Sequence, residues 1–233
     1  MKVKKALGLC LALTMVAGGL AACGSNNNGG GQETQTTGTT ETATVKVSGS
    51  TSVFPVVDGL KDKFMDKNGN IKVQVEQGGS GVGISNVKDG LVDIGMSSRN
   101  LKDSEKGLHE TTLCLDGIAV VVSSDNAVKS LTSEQIAKIY KGEITNWKDV
   151  GGKDAKITLI TRESTSGTRG AFEELVLDGE VIDDTKCLVQ NSTGNVATSV
   201  ENDPNAIGYI SLGVLGNYSK LQAVIVLLMK GKP

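Results

Sequence analysis

Apolar and polar positions along this chain follow two periods, one typical of strands and one typical of helices. Residues 117–122, GIAVVV, are apolar on both faces of the strand they predict, as a central buried strand requires. The run from residue 53 to residue 65 is amphipathic at helical spacing instead. Such patterns predict strands over 44–48, 71–75, 92–96, 114–122, 157–161, 186–190 and 207–210, and helices over 53–66, 82–90, 132–141, 167–177 and 194–201. Strands and helices that alternate in this way predict an α/β fold with a mainly parallel sheet.

Glycine and hydroxyl residues follow several of these strands. Three such loops lie between a strand and a helix, at 48–52 (SGSTS), 78–83 (GGSGVG) and 162–169 (RESTSGTR), and a fourth, 96–99 (MSSR), follows the strand at 92–96. In an open α/β sheet such loops gather at the carboxyl ends of the strands, where ligands bind. The sequence therefore predicts one shared site, although each loop by itself also fits an ordinary helix cap or turn.

The third of these loops carries the most specific chemistry. Arg162, the hydroxyls of Ser166 and Thr168, and Gly167 stand at the start of a predicted helix. Free backbone N–H groups and the positive end of the helix dipole favour an anion there, and glycine lets the backbone approach it closely. An arginine adds a planar, bidentate donor. This combination predicts a pocket for a tetrahedral oxyanion.

Composition argues against several other classes of function. Without the three lysines of the first five residues, 21 Lys and Arg stand against 26 Asp and Glu, a net charge of −5, whereas nucleic acid requires a basic surface. His109 is the only histidine and no CxxC occurs, so a transition metal has almost no ligands. No serine has glycine at both −2 and +2, and the S-x-x-K match at 85–88 lacks its partner motifs. We expect a binding protein without metal or cofactor rather than a phosphatase or serine hydrolase.

The N-terminus predicts export and a lipid anchor. Residues 1–22 combine a basic start with an apolar stretch, and Cys23 follows Leu-Ala-Ala, as in a lipobox. We expect cleavage before Cys23 and attachment of acyl chains such as palmitate, which would hold the protein on the extracytoplasmic face of the cell membrane. Residues 23–43 then form the lipidated cysteine and a flexible tether of small and polar residues.

Two cysteines remain in the expected folded part, because Cys10 belongs to the signal peptide. Cys114 and Cys187 lie in separate apolar runs. This placement favours two buried free thiols and leaves a disulfide open.

The order of these motifs makes the chain resemble the phosphate-binding proteins of phosphate ABC transporters, the PstS type. The resemblance extends from about residue 45 to residue 218 and rests on the segments 48–53, 79–84, 92–99, 142–147, 162–169 and 205–209. It implies an α/β, two-lobed periplasmic-binding-protein fold with mainly parallel sheets and a ligand cleft between the lobes. Lobe 1 would comprise residues 44–122 and 205–233, and lobe 2 residues 123–204.

The resemblance also implies a ligand and partners. The protein would be a non-catalytic lipoprotein that captures inorganic phosphate and delivers it to the membrane permease and ATPase subunits of the transporter. The implied ligand-binding positions are Thr51, Ser52, Ser80, Ser98, Arg162, Ser166, Gly167 and Thr168.

Ser98 departs from the family pattern. The best-known members have an aspartate there, which accepts a hydrogen bond from the protonated phosphate that sulfate cannot donate. A serine hydroxyl can also accept a hydrogen bond, and Arg99, Asp93 or Glu163 would compensate. Glu163 would either orient Arg162 or be solvated. Sulfate, molybdate and other oxyanions therefore remain alternative ligands.

The last residues also depart from the family. Residues 221–233 match it poorly and then stop, which favours a truncated or frame-shifted sequence. Such a change would leave lobe 1 short of core.

Overall fold

The computed structural model describes residues 42–227 of the 233-residue chain. Ten strands occur in this range: β1 (Ala43–Gly49), β2 (Ile71–Gln77), β3 (Ile94–Met96), β4 (Ile118–Ser123), β5 (Ser130–Thr132), β6 (Thr158–Arg162), β7 (Leu188–Gln190), β8 (Ala206–Ser211), β9 (Leu221–Ala223) and β10 (Ile225–Leu227). The α-helices in the same range are α1 (Phe54–Lys67), α2 (Ser80–Lys88), α3 (Ser133–Lys141), α4 (Gly167–Leu175) and α5 (Thr193–Asn202). Short 3₁₀ helices span Asp103–Glu105, Trp147–Val150, Asp184–Lys186 and Leu212–Asn217.

Several sequence predictions fall outside the described residues. The signal peptide over residues 1–22, the acylation site Cys23 and the tether as far as residue 41 lie outside them, as do residues 228–233. Of the helices between residues 42 and 227, none has the length and hydropathy needed to cross a membrane.

Parallel pairings outnumber antiparallel ones among the strands between residues 42 and 227. A three-stranded sheet has the order β2-β1-β3, and β1 is parallel to both neighbours. A five-stranded sheet has the order β7-β6-β8-β4-β9, in which β6 is parallel to β7 and β8, while β4 is antiparallel to β8 and β9. Strands β5 and β10 form a separate parallel pair. The predicted α/β class with mainly parallel sheets is confirmed.

The main core lies on both faces of the five-stranded sheet. Along β4, Val120 and Val122 pack with the cluster that contains Trp147 and Phe172, whereas Ala119 and Val121 pack with the cluster against α5. The four β4 side chains are at most 6% exposed. The prediction of a central strand buried on both faces is therefore confirmed, because helices cover both faces of this sheet.

The three-stranded sheet and its helices bury far less apolar surface. Among residues 43–96 the buried hydrophobic side chains are Val47, Ile84 and Met96. Helix α1 buries none of its residues, and one of its faces leaves Val56, Leu60 and Phe64 exposed. The three-stranded sheet therefore contributes little to the buried apolar core of residues 42–227.

The predicted strand at 114–122 begins only at Ile118. No strand between residues 42 and 227 pairs with the residues directly before it; Leu115 is 95% exposed and Cys114 is exposed as well. The expectation of a buried thiol at Cys114 is wrong, because three apolar residues form a buried strand only where a neighbouring strand pairs with them. Cys187 is half-buried, and burial raises its pKa to about 11. Both thiols are free.

The sheets do not divide the chain where the predicted lobes do. Strands β4, β8 and β9, assigned to lobe 1, lie in the same sheet as β6 and β7, assigned to lobe 2. The poorly matching run after residue 220 also contributes strands, since β9 pairs with β4 and β10 pairs with β5. The lobe boundaries themselves stay a prediction.

Candidate functional site

The N-terminus of α4 is the centre of the site. Ser166 caps the helix, and its Oγ accepts a hydrogen bond from the backbone N–H of Arg169 at 3.3 Å. The first two N–H groups of the helix, those of Gly167 and Thr168, have no acceptor within residues 42–227. Because helix N–H groups at this end point away from the helix and the dipole is positive there, the start of α4 favours a bound anion.

Four hydroxyl groups from three loops meet beside this helix start. This hydroxyl cluster consists of Thr51 and Ser52 after β1, Thr168 in α4, and Thr193 at the start of α5; all four are at least nine-tenths buried. The Oγ of Ser52 lies 2.7 Å from Oγ1 of Thr168 and 3.0 Å from Oγ1 of Thr193. Oγ1 of Thr51 lies 3.1 Å from Oγ1 of Thr193. These contacts use three of the four hydroxyl protons, so at least one proton remains for another acceptor.

Arg162 brings a buried guanidinium to the cluster. Its Nη1 donates to Oγ1 of Thr193 at 3.2 Å. Its Nε and Nη2 donate to the two carboxylate oxygens of Glu163, each at 2.8 Å. A guanidinium has five N–H donors, so one N–H on each terminal nitrogen remains free among the described contacts. Arg162 is 1% exposed, and Glu163 cancels its formal charge.

The backbone of Arg162 is held as firmly as its side chain. Arg169 donates from Nη1 to the carbonyl oxygen of Arg162 at 2.9 Å and is itself paired with Glu173 and Asp184. The N–H of Arg162 donates to the hydroxyl of Tyr209 at 3.2 Å. Burial raises the pKa of Tyr209 to about 12, so this hydroxyl stays protonated at neutral pH. Hydrogen bonds to both its N–H and its carbonyl oxygen therefore hold the backbone of Arg162 in place at the end of β6.

Two serines approach the start of α4 from the three-stranded sheet. Ser80 opens α2 and Ser98 follows β3; their Oγ atoms are 3.2 Å apart, and the N–H of Ser98 donates to Oγ of Ser80 at 3.1 Å. A Cβ on Gly167 would lie 2.5 Å from both Oγ atoms. Only glycine leaves room for this approach of α4 to the two serines.

The eight residues predicted for the site thus surround one helix start. Thr51, Ser52, Thr168 and Arg162 are linked through hydrogen bonds, Ser80 and Ser98 contact Gly167, and Ser166 caps the same helix. Their role in binding a ligand stays a prediction. The hydroxyl and N–H groups are donors and the hydroxyls can also accept, so the arrangement is suited to an oxyanion that carries a proton.

Thr193 belongs to the cluster but was not among the predicted site residues. The segment from Gln190 to Gly194, QNSTG, lies between β7 and α5 and has the same strand, hydroxyl, glycine and helix order as the other loops. That signal was available in the sequence. The contact between Thr193 and Thr51 joins residues 142 positions apart, and no local pattern in the sequence indicates it.

The three residues expected to compensate for Ser98 have different surroundings. Asp93 accepts from the backbone N–H of Lys46 at 2.8 Å and is exposed. Arg99 forms a bidentate pair with Glu105. Of the three, Glu163 is the one hydrogen-bonded to a predicted site residue, and it orients Arg162 rather than being simply solvated.

Comparison with known proteins places the chain in a defined family. Residues 34–231 match the family model described as a PBP superfamily domain. The phosphate-binding protein PstS of Bacillus subtilis is 35% identical over 213 residues, which cover 89% of this chain and 69% of the relative. PstS of Borreliella burgdorferi is 36% identical over 74% of this chain and 65% of its own length. The chain thus spans about two thirds of the length of these relatives.

A solved structure supports the same placement. It is a phosphate ABC transporter substrate-binding protein from Clostridium perfringens with bound phosphate. It is 41% identical to this chain and has a TM-score of 0.74, with 79% of this chain and 75% of that one covered.

Proposed function

Since the chain belongs to the PBP superfamily and, within it, to the PstS-type phosphate-binding proteins, we propose that it captures inorganic phosphate and delivers it to a phosphate ABC importer. Proteins of this type are non-enzymatic components of transport. The observation that carries the proposal is the convergence of the hydroxyl cluster, Arg162 and the α4 N-terminus.

The donors of this site match the needs of a dehydrated phosphate. An anion taken out of water must have nearly all its oxygens paired, or it loses several kcal/mol of hydration. The start of α4 offers the N–H groups of Gly167 and Thr168, and Arg162 offers its two free N–H groups. Because Glu163 cancels the arginine charge, binding depends on directed donors and the helix dipole rather than on net charge.

A protonated phosphate also needs an acceptor. Ser80 and Ser98 supply hydroxyl oxygens beside Gly167, and a hydroxyl accepts as well as donates. These oxygens take the place of the aspartate that other members use. Since a hydroxyl does not repel sulfate as a carboxylate does, sulfate or molybdate is the second candidate ligand.

Anchoring and delivery rest on the sequence. The lipobox at Cys23 supports a lipid anchor on the extracytoplasmic face, and the tether after it leaves the folded part free to reach the permease. Cys23→Ser should move the protein from the membrane fraction to the soluble fraction of fractionated cells. A variant that stays with the membrane although residues 1–22 have been removed from it would contradict the anchor.

Calorimetric titration tests the ligand. We expect phosphate to bind and sulfate and molybdate to compete weakly from acidic to mildly alkaline pH. Arg162→Ala and Thr168→Val should each lose about 2 kcal/mol or more of phosphate binding, because buried hydrogen bonds to a charged ligand are lost. Thr185→Val is the matched control, since the Thr185 hydroxyl donates to Asp183 at the surface. Unchanged affinity in both site variants would refute the assignment, and tight sulfate binding at every pH would favour the second ligand.

A further inference from the structure

Thr193 occupies a position that ties the site together from a fifth loop. It is the first residue of α5, whose cap is Ser192, with Oγ accepting from the N–H of Asn195 at 3.1 Å. The backbone N–H of Thr193 therefore has no intrahelical acceptor, and it donates to Oγ1 of Thr51 at 3.1 Å. The start of α5 is thereby fastened to the loop after β1.

The side chain of Thr193 makes three further contacts. Its Oγ1 lies 3.2 Å from Nη1 of Arg162, 3.1 Å from Oγ1 of Thr51 and 3.0 Å from Oγ of Ser52. Arginine can only donate, so Oγ1 of Thr193 accepts from Arg162. Its own single proton is then directed to the Thr51 and Ser52 side or to a bound anion. Thr193 is 3% exposed, so water does not replace these partners freely.

We infer that Thr193 is a ligand-positioning residue that holds Arg162 and the Thr51–Ser52 loop in one hydrogen-bonded unit; the inference rests on the proposed phosphate binding. Arg162 ends a strand of the five-stranded sheet, whereas Thr51 and Ser52 follow a strand of the three-stranded sheet. One hydroxyl between them fixes the direction of a guanidinium N–H and the distance between the two groups of donors.

Removal of this hydroxyl should act mainly on the release of phosphate. Valine keeps the shape of threonine but neither accepts from Arg162 nor donates to the cluster. A donor left without its partner weakens the bound state, so we expect about a tenfold higher phosphate Kd. Contacts that are complete only in the assembled site change koff more than kon, and the increase should therefore appear in koff.

The experiment compares Thr193→Val and Thr193→Ser with the wild type by calorimetry and stopped-flow kinetics. Ser123→Ala is the matched control, because Ser123 is a buried hydroxyl that accepts from the N–H of Asp125 in the turn after β4. We expect the valine variant to release phosphate faster at an unchanged kon, the serine variant to restore most of the affinity, and the control to bind as the wild type does. Thr193→Ala carries the same comparison if the valine variant does not fold.

The possible results distinguish phosphate binding by the protein from the positioning role of Thr193. A wild-type protein that binds no phosphate overturns the proposed function, and this inference with it. A wild type that binds phosphate and a valine variant with the same Kd and koff overturn only the inference. A serine variant as weak as the valine variant would also overturn it, because the methyl group rather than the hydroxyl would then carry the effect.

Discussion

Gly167, the first residue of α4, offers a sharp test of the site. A Cβ added there would lie 2.5 Å from Oγ of Ser80 and of Ser98, and 2.9 Å from the carbonyl carbon of Ser98. The serine side chains can rotate away, but a backbone carbon cannot. Gly167→Ala therefore forces either the start of α4 or the loop at 96–99 to move, and the donors on the two sides of the site separate.

The distances set the size of the effect. Carbon atoms pack at about 3.5–4.0 Å, so relief of the contact at 2.9 Å requires a shift of roughly 1 Å. Overpacking of this kind costs about 1–3 kcal/mol, which corresponds to roughly 5- to 150-fold weaker phosphate binding. A second effect of the substitution stabilises the fold and opposes this cost. Gly167 does not have a left-handed φ, and alanine is more favourable than glycine in a helix by up to about 1 kcal/mol.

Calorimetric titration of phosphate into Gly167→Ala and Gly170→Ala measures this effect. Gly170 lies in the same helix, and an added Cβ there would meet Cδ of Arg99 at 3.8 Å, an ordinary contact. We expect weaker binding in the first variant and wild-type affinity in the second. Thermal unfolding without phosphate provides the comparison of stability.

Two results would refute this reasoning. Wild-type affinity in Gly167→Ala would show that the start of α4 does not face Ser80 and Ser98 when phosphate is bound. An equal loss in both variants would assign the effect to the helix as a whole rather than to the close approach at Gly167.

Three further predictions concern other parts of the chain. The hydrogen bonds from Arg99 lower the pKa of Glu105 to about 2. The stability that this pair confers is therefore present above the unfolded-state pKa of roughly 4.3 and is lost as the pH falls towards 2. Glu105→Gln should reduce the fall in Tm on acidification, and a fall equal to that of the wild type would contradict this. A thiol reagent followed by peptide mapping should label exposed Cys114 well before Cys187, whose pKa burial raises to about 11, and equal rates would contradict it. Gly59→Ala in α1, where an added Cβ has no atom within 4 Å, should raise the unfolding free energy by about 0.5–1 kcal/mol in a denaturant titration, and no gain would contradict it.

The glycine and hydroxyl loops could be recognised in the sequence because their signals are local. Neighbouring positions are enough to recognise a strand that ends in such residues and is followed by a helix. Helix α4 begins at Gly167 and its cap is Ser166, as the pattern at 162–169 predicts. The same local order precedes α5, which shows that Thr193 was within reach of sequence reasoning although its partners were not.

Local signals were weakest where a strand needs a distant partner. The apolar residues around Cys114 resemble the beginning of β4, yet none of the strands between residues 42 and 227 pairs with them, and Leu115 is exposed. The short strands β5 and β10, in contrast, carry little pattern of their own and form by pairing with each other across about a hundred residues. Pairing depends on tertiary placement, which a run of three residues does not encode.

The sequence by itself determined the α/β class and the loops that carry the donors, and it predicted eight residues that lie around the start of α4. Only the tertiary structure decided how these residues act on one another. Glu163 takes two of the arginine nitrogens, and Gly167 has to remain a glycine because Ser80 and Ser98 lie against it. The physical reason is that charge compensation and close packing depend on distances in space. Glu163 is adjacent to Arg162 and can turn towards it or towards solvent, and Gly167 meets Ser80 and Ser98 only when the two sheets bring their loops together.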